Sequence, residues 1–310
     1  MNRFHLTLLT AIAPVVWGTT YIVTTELLPP GHPLFASLAR ALPAGVVAIA
    51  LTRALPTGSW WWKATVLGGL NIGAFFPLLF VAAYHLPGGV AATLGAAQPL
   101  VVAVLVVLVL GESFSAWRLF WGIVGITGVA LVVLDSTAAL GVAGVAAGLL
   151  SAVSMGFGVT LTKKWGRPTG VPAMGLAGWQ LTAGGLFLLP LTLLFEGLPT
   201  SIDGPALAGY AWLGLIGGLL AYTLWFGGIT RLPVASVAVL GLLSPLVAAV
   251  LGALLLGQIL GVVQLVGFGL ALAAVAAAQI TPGAKPSVPV HTSTPRPSVT
   301  PTPARTGGTP

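Results

Sequence analysis

Residues 86–112, LPGGVAATLGAAQPLVVAVLVVLVLGE, return as residues 232–258, LPVASVAVLGLLSPLVAAVLGALLLGQ. A shift of 146 residues sets Leu86-Pro87 on Leu232-Pro233 and Leu94-Gly95 on Leu240-Gly241. It carries on through Pro99-Leu100-Val101 over Pro245-Leu246-Val247 and ends with Leu110-Gly111 over Leu256-Gly257. Upstream, it matches Gly68 with Gly214 and Phe80 with Phe226. Leu, Val, Ala and Gly are abundant throughout, so single matches carry little weight. Ungapped agreement at two prolines, a phenylalanine and several glycines marks an internal repeat, which bears on every later choice of fold.

The composition says what is repeated. Hydrophobic residues are 57% of the 310 and charged residues 5%, against roughly 25% charged in soluble domains. So few charges cannot cover a water-facing surface. The apolar runs are each about 20 residues long, enough to cross a ~30 Å hydrocarbon core. Ten spans are expected, near 6–28, 34–53, 63–83, 88–110, 118–134, 141–161, 172–195, 205–228, 233–256 and 259–279. The first run is too long for a secretory h-region, contains Pro14 and lacks a clear cleavage site, so it reads as a membrane helix. After Ile280 the chain turns to Pro, Thr, Ser and Gly, a composition expected to stay disordered.

Charge placement tests the count. With a cytoplasmic amino terminus and ten spans, the inner segments hold Arg3, Arg53, Lys63, Arg118, Lys163, Lys164, Arg167, Arg231, Lys285, Arg296 and Arg305. Those are eleven of the twelve Lys and Arg residues; the twelfth, Arg40, falls inside the second span. Nine or eleven spans would spoil this segregation, which follows the positive-inside rule. Both termini are therefore expected in the cytoplasm. The formal charge of +7 sets orientation, and no basic stripe or motif points to nucleic acid. With no cysteine, disulfides and thiolate metal sites are excluded; no metal or cofactor is expected.

The 146-residue shift lays the ninth span on the fourth, so each repeat holds five spans. An odd number turns the second half upside down. The expected fold is thus an all-α polytopic membrane protein of ten transmembrane helices in two inverted five-helix repeats, 1–136 and 137–280, followed by a cytoplasmic tail, 281–310. Inverted repeats recur in secondary transporters, with the substrate site between the halves near mid-membrane.

Several motifs carry a resemblance. Trp17-Gly18, Arg40, Pro99, Gly111-Glu112 and the second-half echoes Pro245 and Gly257 are similar to the EamA family of the drug/metabolite transporter superfamily. The stretches 12–26, with Trp17-Gly18-Thr19-Thr20-Tyr21, and 81–89, with Tyr84 and Leu86-Pro87-Gly88-Gly89, look closer to a branch named for export of the blue pigment indigoidine. The resemblance covers about residues 6–280 and implies export of a small metabolite across the bacterial plasma membrane. Gln258, where many members carry a Glu, departs from the pattern and weakens any role for a symmetric pair of carboxylates.

Polar groups inside a membrane are costly and normally face the bundle interior or a wet cavity. Arg40 is the candidate anchor for a substrate carboxylate or carbonyl, with snorkelling or a pair with Glu26 as the structural alternative. Gln98-Pro99 and Ser244-Pro245 hold equivalent places in two spans. Proline breaks the helical ladder, so both pairs are candidate kinks lining the cavity, with Pro99 and Pro245 as hinges. Trp17 and Tyr21, four residues apart, share a helix face, and Trp179, Tyr222 and Trp225 add aromatic surface suited to a planar solute. Asn71 and Gln180 are mid-span amides that either bind substrate or join helices. Glu26 is the candidate site of proton coupling.

Other chemistry is missing. No phosphate-binding loop or His-Glu-x-x-His motif appears, which argues against ATP-driven transport and against a membrane protease. The function expected is a secondary transporter, not an enzyme, exporting a pigment, amino-acid-like compound or drug by alternating access. A nucleotide-sugar or lipid-intermediate carrier is the alternative, and a non-transporting structural or sensory protein is a further one. Small-residue faces such as Gly184-Gly185 and Gly217-Gly218 allow helices to pack closely within the chain or across a homodimer.

Overall fold

A computed structural model describes residues 2–85, 94–133, 141–255 and 261–280, apart from a few side chains; the tail, 281–310, lies outside them. The described residues are helical and apolar. They form α1 (Arg3–Gly18), α2 (Thr20–Leu27), α3 (Pro33–Thr52) and α4 (Trp60–Gly68), then a π-helical segment π1 (Gly69–Ala74) and α5 (Phe75–His85). There follow α6 (Gln98–Leu110), α7 (Ala116–Val133), α8 (Val142–Trp165), α9 (Ala173–Phe195) and α10 (Gly204–Ala211). The chain continues through π2 (Trp212–Leu220), α11 (Ala221–Ile229), α12 (Val234–Leu240), α13 (Leu243–Leu255) and α14 (Val262–Ala278).

Among the described residues, six helical runs are long and apolar enough to cross a membrane: Arg3–Leu27, Pro33–Thr52, Val142–Trp165, Ala173–Phe195, Gly204–Ile229 and Val234–Leu255. Gln98–Leu110, Ala116–Leu131 and Val262–Ala278 are shorter and equally apolar. Their outward faces are as greasy as their inward ones: Leu108, Phe195 and Val262 are 74%, 77% and 78% exposed. Such a surface is stable only against lipid. The chain is an all-α, multi-pass membrane protein.

Local chemistry sets the helix ends. Asn2 caps α1 by accepting from His5 N at 2.9 Å, and Asp203 caps α10 by accepting from Ala206 N at 2.8 Å. The first turn of α3 begins at Pro33 and is capped from a distance: both Glu196 oxygens accept at 2.7 Å, from Leu34 N and Phe35 N. A carboxylate at a helix N-terminus answers both its orphan donors and its dipole.

The two proline sites break their helices at matching points. Pro245 offers no N–H to Gly241 O, and Ser244 N bonds that carbonyl instead at 3.1 Å. The chain tightens into a turn at Gly241-Leu242 between α12 and α13. In the other half the turn falls at Ala96-Ala97, just before α6 and Pro99. The second stretch of the opening alignment is described except for 256–260, and the first except for 86–93.

Helix pairing has a swapped symmetry. α5 and α6 lie on α8, just as α11 and α13 lie on α1. π1 lies on α9 as π2 lies on α3, while α3 pairs with α9 and α7 with α14. Glycine makes one of these crossings tight. A Cβ on Gly184 of α9 would stand 2.5 Å from Ile72 Cβ and 2.8 Å from Gly68 O. Gly184→Val is expected to cost about 1–3 kcal/mol through overpacking, seen as a lower Tm of the purified protein. Gly269→Ala, where nothing lies within 4 Å, is the matched control; equal Tm values for the two variants would show that this crossing is not tight.

Candidate functional site

A cavity of about 400 Å³ opens among α1, α2, α3, α5, α6, α8, π2, α11, α12 and α13, within the roughly 300–1,000 Å³ usual for small-ligand sites. Its rim includes Thr24 and the exposed Thr25, and Trp225 and Tyr222 in its wall are 1% and 2% exposed. Of the residues singled out from the sequence, it gathers Trp17, Arg40, Gln98, Pro99, Tyr222, Trp225, Ser244 and Pro245.

One backbone carbonyl organises the wall. Gly217 O, in π2, accepts from Trp17 Nε1 at 3.0 Å and from Arg40 Nη2 at 3.2 Å. Arg40 Nη1 also reaches Thr20 Oγ1 at 3.5 Å. The guanidinium lies 5.4 Å from the Phe76 ring centre and 5.9 Å from that of Tyr222, the range of cation–π attraction. Trp17 in turn touches Tyr222 and Trp225, with centroids 5.0 and 5.1 Å apart. Gly18 permits this arrangement, since a Cβ there would lie 2.5 Å from Val247 Cβ and 2.8 Å from Ser244 O. α1 and α13 therefore meet backbone to backbone beside the cavity.

Asn71, Trp179 and Gln180 stand elsewhere. Asn71 Nδ2 donates to Gln180 Oε1 at 2.7 Å and to Thr162 Oγ1 at 3.4 Å, joining π1, α9 and α8 in a buried polar contact. Trp179 Nε1 donates to Ala54 O at 2.8 Å, and its ring packs on Trp60. None of the three lines the cavity. Glu26 is exposed, with Thr25 Oγ1 3.4 Å from its Oε1. The side chain of Tyr21 lies outside the described residues. Glu112 and Arg118 approach to 3.9 Å.

The sequence reading passed over Thr20, Thr24 and Ser37, which line the cavity. Thr20 and Thr24 fall three and seven residues after Trp17, the spacing that keeps one helix face in register. That signal was available in the sequence. Lys163 was read only as a basic residue of an inner segment. Its Nζ donates to Thr230 O at 3.3 Å and Leu232 O at 2.8 Å, tying the end of α8 to the turn between α11 and α12.

The profile of the EamA-like transporter family matches residues 6–134 and 142–278. The chain belongs to the EamA-like transporter family. Protein PecM of Dickeya dadantii is 48% identical over 255 residues, 82% of this chain and 86% of that protein. A protein of Streptantibioticus cattleyicolor named "Probable terminal-alkyne amino-acid exporter" is 30% identical over 249 residues, 77% and 79% of the two chains. A crystal structure 20% identical in sequence shares the fold with a TM-score of 0.76, over 89% of this chain and 97% of that one. The family is one of transporters, not enzymes, and a secondary transporter of small organic metabolites is the function it gives this chain.

The buried amide pair and the cavity are separable by stability. Asn71→Ala strands the Gln180 carbonyl, and interhelical hydrogen bonds of this kind are worth about 0.6–2 kcal/mol. A Tm lowered by a few degrees is expected, against little change for Ser244→Ala at the cavity wall. An unchanged Tm for Asn71→Ala would remove the structural role.

Proposed function

We propose that the chain exports a small organic metabolite, a pigment, amino-acid-like compound or drug, across the bacterial plasma membrane by alternating access. The observation that carries this is the aromatic cavity with its buried Arg40, lined from both of the separately matched segments. Trp17, Arg40, Gln98, Tyr222, Trp225 and Ser244 are its binding residues, with Tyr21 added from its four-residue spacing to Trp17 in the sequence, and Pro99 and Pro245 are its hinges. A relative named as an exporter supports the direction.

Ten crossings follow if the six long helices, the three shorter ones and the run 60–85 each span the bilayer. Two inverted five-helix repeats explain why π1 at 69–74 and π2 at 212–220 fall at matching points of the 146-residue shift. They also explain the swapped helix pairings. With both termini cytoplasmic, as the basic residues favour, the Thr24–Ser37 rim faces outward and Lys163 closes the inner end. Glu26, exposed beside that rim, is the candidate for proton coupling; homodimerisation through small-residue faces belongs to the same proposal.

Excreted metabolites compared between cells with and without the gene test the reading. At least one small organic solute should accumulate outside only with the gene. Arg40→Ala and Trp225→Ala, present at normal membrane levels, should each cut that export about tenfold or more. Identical excretion profiles with and without the gene would overturn it.

A further inference from the structure

We propose that the cavity selects aromatic solutes carrying an oxyanion at one end and a second hydrogen-bond acceptor at the other, and that it rejects cations. This rests on the transport reading above and names the chemical class of its cargo.

The lining holds one charged side chain, Arg40, and no carboxylate among the described residues. The field inside such a cleft favours anions, and low-dielectric walls amplify it. A solute ammonium would meet a guanidinium with no acidic group in the wall to answer it.

Two neutral donors mark the other end. Trp225 Nε1 and Gln98 Nε2 are buried, and neither has a hydrogen-bond partner, although both residues line the cavity. Trp17 differs, its indole N–H being spent on Gly217 O. A buried N–H left unpaired is costly, so an acceptor on a bound solute is favoured there. These two flank the same glycine: a Cβ on Gly241 would lie 3.9 Å from Gln98 Oε1 and 4.0 Å from Trp225 Cη2. Both side chains therefore border Gly241, and rotation of the Gln98 amide would exchange its Oε1 for the Nε2 donor on that side.

Aromatic contacts join that corner to the cation. Arg40 lies against Tyr222, Tyr222 against Trp17, and Trp17 against Trp225. A flat ring between the two ends meets π faces, with the oxyanion on Arg40 and the second acceptor at Gln98 and Trp225. The guanidinium is already held by Gly217 O and Thr20 Oγ1, so little side-chain entropy remains to be lost on binding.

The test uses the full-length protein in liposomes and counterflow uptake of three labelled probes with one ring and a para methoxy group as the second acceptor: 4-methoxyphenylacetate, 4-methoxyphenylacetamide and 4-methoxyphenethylamine. The acid should be taken up at least tenfold better than the amine, with the amide between them. Arg40→Gln should erase the preference for acid over amide. Trp225→Phe keeps the ring and removes the N–H; it should weaken acid and amide alike by about three- to tenfold, the worth of one neutral hydrogen bond. Gln98→Leu, a second variant at the same corner, should do likewise if Trp225→Phe fails to fold. Uptake of the amine equal to or above that of the acid overturns the proposal, as does uptake of none of the three. Full activity of both corner variants overturns the second acceptor. In each case the transport reading stands or falls separately, on the excretion comparison.

Discussion

The structure turns on Gly217 O, a single carbonyl that accepts from both Trp17 and Arg40. An arginine inside a membrane is tolerated only where its donors are met. Here the answering groups come from the backbone of a π-helical segment, whose ladder runs out of α register, and from Thr20. A carbonyl oxygen has two lone pairs, so one oxygen can tie α1 and α3 to π2. The neighbouring Gly218 lets the chains come this close, since a Cβ there would sit 2.6 Å from Arg40 O. Anchored in this way, Arg40 presents its guanidinium beside Phe76 and Tyr222 and gives the cavity its charge.

A second polar contact answers the same geometry with neutral groups. The 146-residue shift sets Asn71 over Gly217, and a shift of 140 sets Gln180 over Arg40 and Gly185 over Gly45. Where Arg40 sets a cation on a carbonyl beside an open cavity, Asn71 and Gln180 set an amide on an amide away from it. Desolvation accounts for the difference. The two amides share one hydrogen bond and leave Asn71 Oδ1 and Gln180 Nε2 without a partner, a cost that neutral groups bear more easily than a cation sealed in the same way would. The charged contact accordingly sits where the cavity is open.

Much of this was legible in the sequence. Hydropathy located the helices, because an apolar run of membrane length has few other stable uses. The paired prolines located the two breaks, because a missing N–H acts wherever the residue falls. What the sequence did not disclose was which way the mid-span amides face. Asn71 and Phe75 are four residues apart and would share a face on an α-helix. The π segment between them shifts the register, so Phe75 and Phe76 reach the cavity while Asn71 turns to α8 and α9. Trp179 escaped for a different reason. α9 is apolar on every side, so periodicity picks out no face, and only packing shows that the indole is committed to Ala54 O. Thr20 and Thr24 were readable from their spacing to Trp17, but threonine is common in membrane helices and drew no notice.

Lys163 ties together the ends of helices that also wall the cavity. Lys163 donates to two carbonyls just past the end of α11, where the helix dipole is negative. Charge-assisted bonds of this kind contribute about 1.5–3 kcal/mol each, and they pin the α11–α12 turn against α8. Trp225 and Tyr222, buried on α11, are carried by the same short helix. Under the alternating-access proposal, opening the inner end would move the residues assigned to the cargo, so release and closure would be mechanically one event. A solute can drive that exchange only through a difference in its affinity for the two states. In the proposed cycle Tyr222 and Trp225 would supply one, because the helix assigned to the ring is the helix whose end Lys163 holds.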